Sequence, residues 1–237
     1  MNMNFTIKDL AQDKLDDVKL KCINCSFWVD AGKPDLLTDV NISISIWEFL
    51  RSKFFELRSL RNKKKFLNFI SASGGIIKAA FSSKKCIGIL VAGRYYLFPK
   101  LKLFRFYPPD TNSVFLGCLF VLPEYRNLGV GKKLLISLEK DLIKNKISAI
   151  ETVGKRLNED MDIEDYVNSP IIPVKFLIKN GFYIKENAEI YPLLRLDLST
   201  ISIAKEFLQS RFALKNIVLK RAIKTPVNFR DHPETRN

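Results

Sequence analysis

The stretch VFLGCLFVLPEYRNLGVGKKLL, from Val114 to Leu135, decides how this chain folds. An apolar strand runs through a Pro-Glu-Tyr segment into a turn that contains Gly129 and Gly131, and an amphipathic helix follows directly. Such a unit leaves free main-chain N–H groups at the start of the helix, where they attract an anion. The pattern therefore predicts a site for a phosphate-bearing cofactor, although the same turn also occurs without a ligand.

The composition is that of an ordinary globular protein. The 237 residues are 47% hydrophobic, which suffices for one core in a domain with appendages. The longest apolar runs, such as Cys86 to Gly93, are far shorter than the about 20 residues that span a bilayer. The first residues contain early acids and no apolar signal-peptide segment, and four cysteines do not make a disulfide framework. We therefore expect a reduced, cytoplasmic protein without a membrane partner.

The formal net charge of +14 needs an explanation. Basic residues cluster at 51–65, at 84–105 and from Lys205 onward, whereas Glu159 to Asp165 is acidic. Lysine is frequent together with Ile, Asn and Phe, a composition that an AT-rich coding sequence produces. Part of the lysine excess therefore needs no binding partner to explain it. Two interpretations remain: solvated lysine faces together with a polyanionic cofactor, or a basic surface for nucleic acid or an acidic substrate.

Hydrophobic periodicity predicts strands and helices on both sides of the central stretch. The predicted strands are Phe5 to Ile7, Ile76 to Phe81, Cys86 to Val91, Val114 to Leu122, Ile147 to Val153, Phe182 to Lys185 and Ile190 to Leu198. The predicted helices are Lys8 to Leu20, Ile46 to Ile70, Gly129 to Lys144 and Ile172 to Lys179, and Leu97 to Asn112 is predicted as a loop. This order favours an α/β or α+β sheet packed by helices.

The chain divides by composition into residues 1–198 and a basic extension, 199–237. Ser199 or Thr200 can cap a helix through about Leu214, and a poorly ordered tail is expected after it.

Two motifs give the chain a resemblance to a known family. The turn is neither a Walker loop nor a GxGxxG dinucleotide turn. The pattern VxPEYRxxGxGxxLL resembles the acetyl-coenzyme-A signature of the GNAT superfamily of N-acetyltransferases, and Val174 to Phe182 resembles its second hallmark, FYxxxGF. Cys22-x-x-Cys25-x-x-Trp28 and Tyr191 to Leu198 also look like a bacterial subgroup of that family. The resemblance implies a GNAT fold: a mixed, mostly antiparallel sheet, splayed at the cofactor site, with helices on both faces.

The resemblance also implies how acetyl-CoA binds. Backbone groups of Leu119, Phe120 and Val121 would pair with the pantetheine arm like an added strand. Main-chain N–H groups of the turn would hold the pyrophosphate, and they belong to Arg126, Asn127, Leu128, Gly129, Val130, Gly131 and Lys132. An amide near Phe120 or Val121 would polarise the thioester carbonyl.

Catalytic residues are less evident. Acetyl transfer needs an unprotonated amine, and because free alkyl amines have a pKa of about 10.4, a base normally assists. Family members often carry that base on the strand before the turn, but Phe115 and Gly117 stand there in this chain. Glu151 on the following strand is a candidate base or amine ligand, and Tyr191 is a candidate proton donor. Each also has a structural interpretation, as a solvated carboxylate and a packing ring.

Other reactive side chains point less clearly to catalysis. The family's tyrosine acid in FYxxxGF is replaced by Leu177. Cys118 is predicted to lie on the same face of the strand as Leu116 and Phe120. It is either an acyl-accepting thiol or a small core residue. Cys22 and Cys25 form one CxxC without a second pair, and His232, the one histidine, lies in the tail, so no metal site is predicted.

The family resemblance thus implies an acetyl-CoA-dependent N-acetyltransferase in which a primary amine attacks directly within a ternary complex. We expect a small-molecule or peptide acceptor, a monomer or homodimer, and a wall formed by Ile46 to Ile70 beside the acceptor. One alternative is a GNAT-fold regulator that binds acyl-CoA without turnover. Another is a nucleic-acid-associated protein, suggested by the basic run 51–65 and the basic tail.

Overall fold

The computed structural model of the chain describes residues 4–10, 15, 18, 20, 27–29, 63–158, 163, 166 and 169–199. The chain divides into two compact units, residues 1–198 and 199–237. The helix and tail expected in the second unit lie outside the described residues, as do Cys22, Cys25 and most of the region from Ile46 to Ile70.

The described part of the first unit contains eight strands and three α-helices. The strands are β1 (Thr6–Asp9), β2 (Ile76–Ser82), β3 (Lys85–Gly93), β4 (Ser113–Val121), β5 (Ala149–Lys155), β6 (Ile172–Pro173), β7 (Tyr183–Glu186) and β8 (Leu193–Asp197). The helices are α1 (Lys63–Ala72), α2 (Val130–Lys144) and α3 (Val174–Lys179). None of the helices in these segments is long and apolar enough to cross a bilayer.

The strands form one sheet in the order β1-β2-β3-β4-β5-β8-β7, and β6 adds to β5. Neighbours are antiparallel except for β4 with β5 and β5 with β6, which are parallel. The predicted mixed, mostly antiparallel sheet is therefore confirmed. The parallel pair at the centre brings the start of β4 beside the start of β5.

Helices cover both faces of this sheet. On one face, α1 packs into an aromatic cluster in which the rings of Trp28, Phe98 and Phe115 meet edge to face. The other face is covered by α2, through buried leucines that lie outside that cluster: Leu134, Leu135, Leu138 and Leu142. Alternate residues of the strands point to opposite faces, so each central strand contributes to both cores.

A buried lysine fixes α2 on the sheet. Lys78 of β2 is 1% exposed, and its Nζ lies 2.5 Å from Asp9 Oδ1 of β1 and 2.5 Å from Asp141 Oδ2 of α2. Burial disfavours the charged amine, but the hydrogen bonds to Asp141 and Asp9 outweigh it, and the pKa of Lys78 is raised. The helix that follows the central turn is thereby held to two strands.

Several element boundaries differ from the sequence prediction. Lys8 and Asp9, predicted to start a helix, belong to β1 because they pair with Ala79 and Lys78. The segment from Leu97 to Asn112, predicted as a loop, contains a 3₁₀ helix at Pro99–Leu103 and supplies buried rings. Tertiary pairing and burial override local propensity in both places.

Candidate functional site

The sheet opens between β4 and β5. Their ladder joins Ser113–Phe115 to Ala149–Glu151 and ends there. Just beyond it, the Thr152 hydroxyl donates to the Leu116 carbonyl at 2.7 Å. From Gly117 to Val121, the edge of β4 that faces β5 has no strand partner among the described residues. An extended ligand can therefore lie along this edge.

A β-bulge stands at the base of the opening. Ala92 pairs with Leu116 and Val91 pairs with Cys118, so Gly117 is an extra residue on β4. The Phe98 ring occupies the position that a Cβ at Gly117 would need. Only glycine fits there without displacing the ring.

The bulge decides which backbone groups face the opening. Beyond it, the Leu122 N–H donates to the carbonyl of Ile87 on β3 at 2.9 Å, whereas the Val121 carbonyl accepts from Arg126 Nε at 3.1 Å. The N–H and C=O of one strand residue point to the same side. Leu119 and Val121 therefore face the opening, and Phe120 faces β3.

The turn after β4 carries main-chain donors without acceptors. Gly129, with φ +82°, is the N-cap of α2, and the first internal bond of the helix runs from Lys133 N–H to the Gly129 carbonyl at 3.0 Å. The N–H groups of Val130, Gly131 and Lys132 precede that bond and have no acceptor within the helix. Nothing else in the described part of the chain accepts from them.

The two glycines of the turn serve different purposes. No atom lies within 4 Å of a Cβ built on Gly129, so the space beside it is open. A Cβ on Gly131 would lie 3.3 Å from the Phe176 ring of α3. Gly131 therefore also allows α3 to pack closely on α2.

Charged side chains of the turn are partly engaged. Arg126 contacts β4 through its Nε, which donates to the Val121 carbonyl, and Lys133 has its Nζ 4.4 Å above the Phe5 ring centroid. Lys132 is exposed. The anion-binding capacity of the turn therefore rests on the helix N-terminus, with Arg126 and Lys132 as the adjacent positive charges.

A charged cluster surrounds Glu151, the last β5 residue of the ladder with β4. Its carboxylate is fully buried: Oε1 lies 2.6 Å from Lys185 Nζ and 2.9 Å from Arg195 Nη1, and Oε2 accepts from the Asp110 N–H at 3.0 Å. Arg195 also contacts Asp110 Oδ2 at 2.8 Å and, through Nε, Asp197 Oδ1 at 2.6 Å. This glutamate is therefore saturated with donors.

Asp110, Arg195 and Asp197, three charged groups of this cluster, have shifted pKa values. The Asn112 N–H, and then Arg195, lower the pKa of Asp110, and Arg195 lowers that of Asp197. The pKa of Arg195 is raised, because hydrogen bonds to its three carboxylate partners outweigh the cost of burial. All of these groups therefore remain charged at neutral pH.

Comparison with known families decides the class of protein. The sequence model described as the Acetyltransferase (GNAT) family matches residues 43–161, which contain the opening, the bulge and the turn. The chain belongs to the GNAT acetyltransferase family. A comparison with curated protein sequences gave no significant match.

Solved structures similar to this GNAT protein share little sequence with it. The PaiA N-acetyltransferase of Thermoplasma acidophilum, in complex with coenzyme A, is 18% identical over 82% of this chain and 99% of that chain, with a TM-score of 0.48. A GNAT-family acetyltransferase from Staphylococcus aureus is 16% identical over 82% and 99%, with a TM-score of 0.47. A Bacillus anthracis protein solved with acetyl coenzyme A has the same identity, coverage and TM-score as the second.

The remaining catalytic candidates of the GNAT domain lie in different surroundings. Cys118 is half-buried and packs with Phe115 and Phe120 against the aromatic cluster. The sequence grouped Cys118 with Leu116, but the bulge separates the two: fully buried Leu116 lies outside that cluster. Tyr191 is 9% exposed and meets the Phe104 ring at 6.3 Å between centroids.

Leu177, at the position of the family's tyrosine, is fully buried. Its Cδ1 lies 3.2 Å from the Cβ position of Gly154 on β5, so it packs α3 on the sheet. Among the described residues, no group of three or more His, Cys, Asp and Glu side chains is placed to hold a metal ion. The basic run 51–65 and the tail, on which a nucleic-acid interface was predicted, lie outside the described side chains.

Sequence reasoning missed the partners of Glu151. Lys185 and Arg195 come from β7 and β8, and Asp110 comes from the loop before β4. These residues lie 34 to 44 positions from Glu151 in the chain. No local pattern marks such a cluster, because the sheet order β5-β8-β7 and the loop before β4 bring its members together.

Proposed function

We propose that this GNAT protein is an acetyl-CoA-dependent N-acetyltransferase that transfers the acetyl group to a primary amine by direct attack in a ternary complex. The observation that carries the proposal is the open turn: the N–H groups of Val130, Gly131 and Lys132, which have no acceptor in the described part of the chain, adjoin an edge of β4 that has no strand partner there. A helix N-terminus next to a free strand edge suits a molecule with a pyrophosphate and an amide-bearing arm.

The strand edge supports a defined role for each backbone group. The pyrophosphate lies at the N-terminus of α2, and the pantetheine arm pairs with Leu119 and Val121. Because Phe120 faces β3, the donor that polarises the thioester carbonyl comes from Leu119 or Val121 rather than from Phe120. With acetyl-CoA bound, the amine would attack that carbonyl and lose a proton to water, the carbon–sulfur bond would break, and the leaving CoA thiolate would take up a proton.

The structure favours a water-assisted route over a glutamate base. Both oxygens of Glu151 already accept hydrogen bonds, two of them from cations, so proton uptake would break the cluster. We therefore assign Glu151 a structural role that stabilises the acceptor side of the site. Water, rather than Glu151, would deprotonate the amine. Tyr191, which is buried beside Phe104 with 9% of its surface exposed, is the candidate proton donor to the leaving thiolate.

A second candidate function is a GNAT-fold regulator that binds acyl-CoA without turnover. The observation behind it is Leu177, whose buried hydrocarbon side chain cannot donate a proton. Both functions need the same cofactor site, so they differ only in whether an amine acceptor is acetylated.

The cofactor assignment is tested by a charge placed in the open turn. Gly129→Glu points a carboxylate toward the phosphates and should weaken CoA binding about 100-fold or more. Gly74→Glu is the matched control, because Gly74 also has a positive φ of 76° and no atom within 4 Å of its Cβ position, but lies at the end of α1. Calorimetry that finds equal CoA affinity in both variants would contradict the assignment.

Catalysis is tested separately by thiol release. We expect wild-type protein to release CoA thiol from acetyl-CoA in the presence of at least one member of a panel of small amines, polyamines, aminoglycosides and peptides. Gly129→Glu should abolish the release, whereas Gly74→Glu should retain it. Tight CoA binding without release for any amine would favour the regulator.

A further inference from the structure

We propose that Trp28 is a positioning residue of the acyl-transfer site, a role that rests on the acetyl-CoA binding proposed above. Its indole Nε1–H donates to the carbonyl of Gly117, the extra residue of the bulge in β4. This bond holds the bulge, and the bulge turns Leu119 and Val121 toward the opening where the acyl-pantetheine arm lies.

The bulge needs a donor of this kind. An extra residue in a strand loses its ladder partner, and a buried carbonyl without a hydrogen bond is strongly disfavoured. The bond between Trp28 and Gly117 is buried and spans 89 positions of the chain. In the described part of the protein, Trp28 is the side chain that supplies a hydrogen bond to this carbonyl.

The bulge determines which amides the cofactor meets. Before it, the Leu116 carbonyl faces β5 and accepts from Thr152. A regular strand would next turn Cys118 and then Phe120 toward β5, because orientation alternates every residue. With Gly117 inserted, Leu119 and Val121 face the opening instead. Loss of the bulge would therefore present the wrong amides to the thioester.

Trp28 is held rigidly enough for this role. Its own carbonyl accepts from the Lys100 N–H at 3.0 Å. Its ring meets Phe98 at 6.1 Å and Phe115 at 5.2 Å between centroids, edge to face. Phe98 also fills the space beside Gly117 that a side chain would take. Trp28 thus contacts the bulge through its N–H, and Phe98 fills the space beside it.

The test separates the two halves of the cofactor. Trp28→Phe keeps a ring in the cluster and removes the N–H. We expect its affinity for acetyl-CoA to fall about tenfold, because a buried carbonyl loses its partner, while its affinity for adenosine 3′-phosphate 5′-diphosphate changes less than about twofold. That nucleotide carries the phosphates of CoA and no pantetheine, so it reports only on the turn. Both affinities are measured by calorimetry.

The control is Phe106→Leu, which removes a buried ring of the same cluster, whereas the ring nearest to Gly117 is that of Phe98. It should lower the thermal midpoint and leave the ratio of the two affinities unchanged. An unchanged acetyl-CoA affinity in Trp28→Phe, or an equal loss for both ligands, overturns the positioning role. Wild-type protein that binds neither ligand overturns the proposed function together with it.

A measurement on the wild-type protein covers the case in which Trp28→Phe fails to fold. The ¹⁵N–¹H signal of the Trp28 indole, assigned by its persistence in Trp47→Phe, should shift when acetyl-CoA is added. It should not shift when the nucleotide half is added at saturation. A signal that responds to neither ligand, or equally to both, overturns the proposal.

Discussion

The turn after β4 and the cluster around Glu151 contain comparable numbers of polar groups, but they use them in opposite ways. At the turn, the N–H groups of Val130, Gly131 and Lys132 have no acceptor in the described structure, and the space beside Gly129 is open. In the cluster, Glu151 accepts from three donors and is fully buried. Unpaired donors beside open space indicate a ligand site, whereas saturated charges indicate a structural anchor.

Glu151→Gln is the variant for which we expect the largest difference between the two regions. Removal of the buried charge leaves Arg195 and Lys185 without their shared partner, so the free energy of unfolding should fall by about 3 kcal/mol. CoA affinity should stay the same. Chemical denaturation and calorimetry measure the two effects.

The control for that variant is Glu186→Gln on the exposed strand β7, which should not change stability. Full stability of Glu151→Gln combined with lost thiol release would assign Glu151 to catalysis and remove the distinction between the two regions.

Substitution of Gly131, the second glycine of the turn, tests whether that glycine has a packing role in addition to its place in the ligand site. In a Phe176→Leu background, Gly131→Ala should stabilise the protein by up to about 1 kcal/mol, because alanine favours the helix and the ring no longer opposes it. With Phe176 present, the contact at 3.3 Å should offset that gain. A double-mutant cycle of unfolding free energies measures the coupling, and equal effects in both backgrounds would contradict the packing role.

Acid should weaken the cluster and leave the turn unaffected. The folded pKa values of Asp110 and Asp197 are lowered, so their contribution to stability is present above the unfolded pKa of about 3.9 and is lost as pH falls through the lower folded values. The thermal midpoint should therefore drop below about pH 4, and Arg195→Met should reduce that drop. An identical pH profile in the variant would show that the cluster does not cause the dependence.

The smallest effect is expected at an exposed ion pair beside the turn. Lys85 Nζ lies 3.1 Å from Glu124 Oε1, but both side chains are more than half exposed. Lys85→Met should leave the thermal midpoint unchanged, because solvent-exposed pairs contribute little. A clear loss of stability would mean that the turn, like the Glu151 cluster, depends on its ion pairs.

Much of the fold was predictable from local sequence. The strand before the turn and the helix after it were predicted from apolar periodicity, and they are present as β4 and α2. The hairpin of β2 and β3 was also predicted, because two apolar runs flank a Ser-Lys turn. Alternation and helical spacing are local properties, so they survive without knowledge of the rest of the chain.

The candidate site was predictable only in part. Gly129 and the open N–H groups follow from the turn motif, but the role of Gly131 depends on Phe176, which lies in another helix. The prediction that Cys118 lies on the same face as Phe120 agrees with the structure, but the prediction that it shares a face with Leu116 was wrong, because a bulge cannot be recognised in an apolar run such as VFLGCLFV. Pairing register is set between strands rather than within one.

By itself, the sequence determined that a strand, a tight turn and a helix follow one another, and so where an anion can bind. The tertiary structure alone decided that Glu151 is neutralised by β7 and β8, and that Trp28 meets Gly117 across 89 positions. The reason is that main-chain donors at a helix N-terminus are created by local geometry, whereas the pairing of a buried charge or carbonyl depends on which distant segment the sheet order brings beside it.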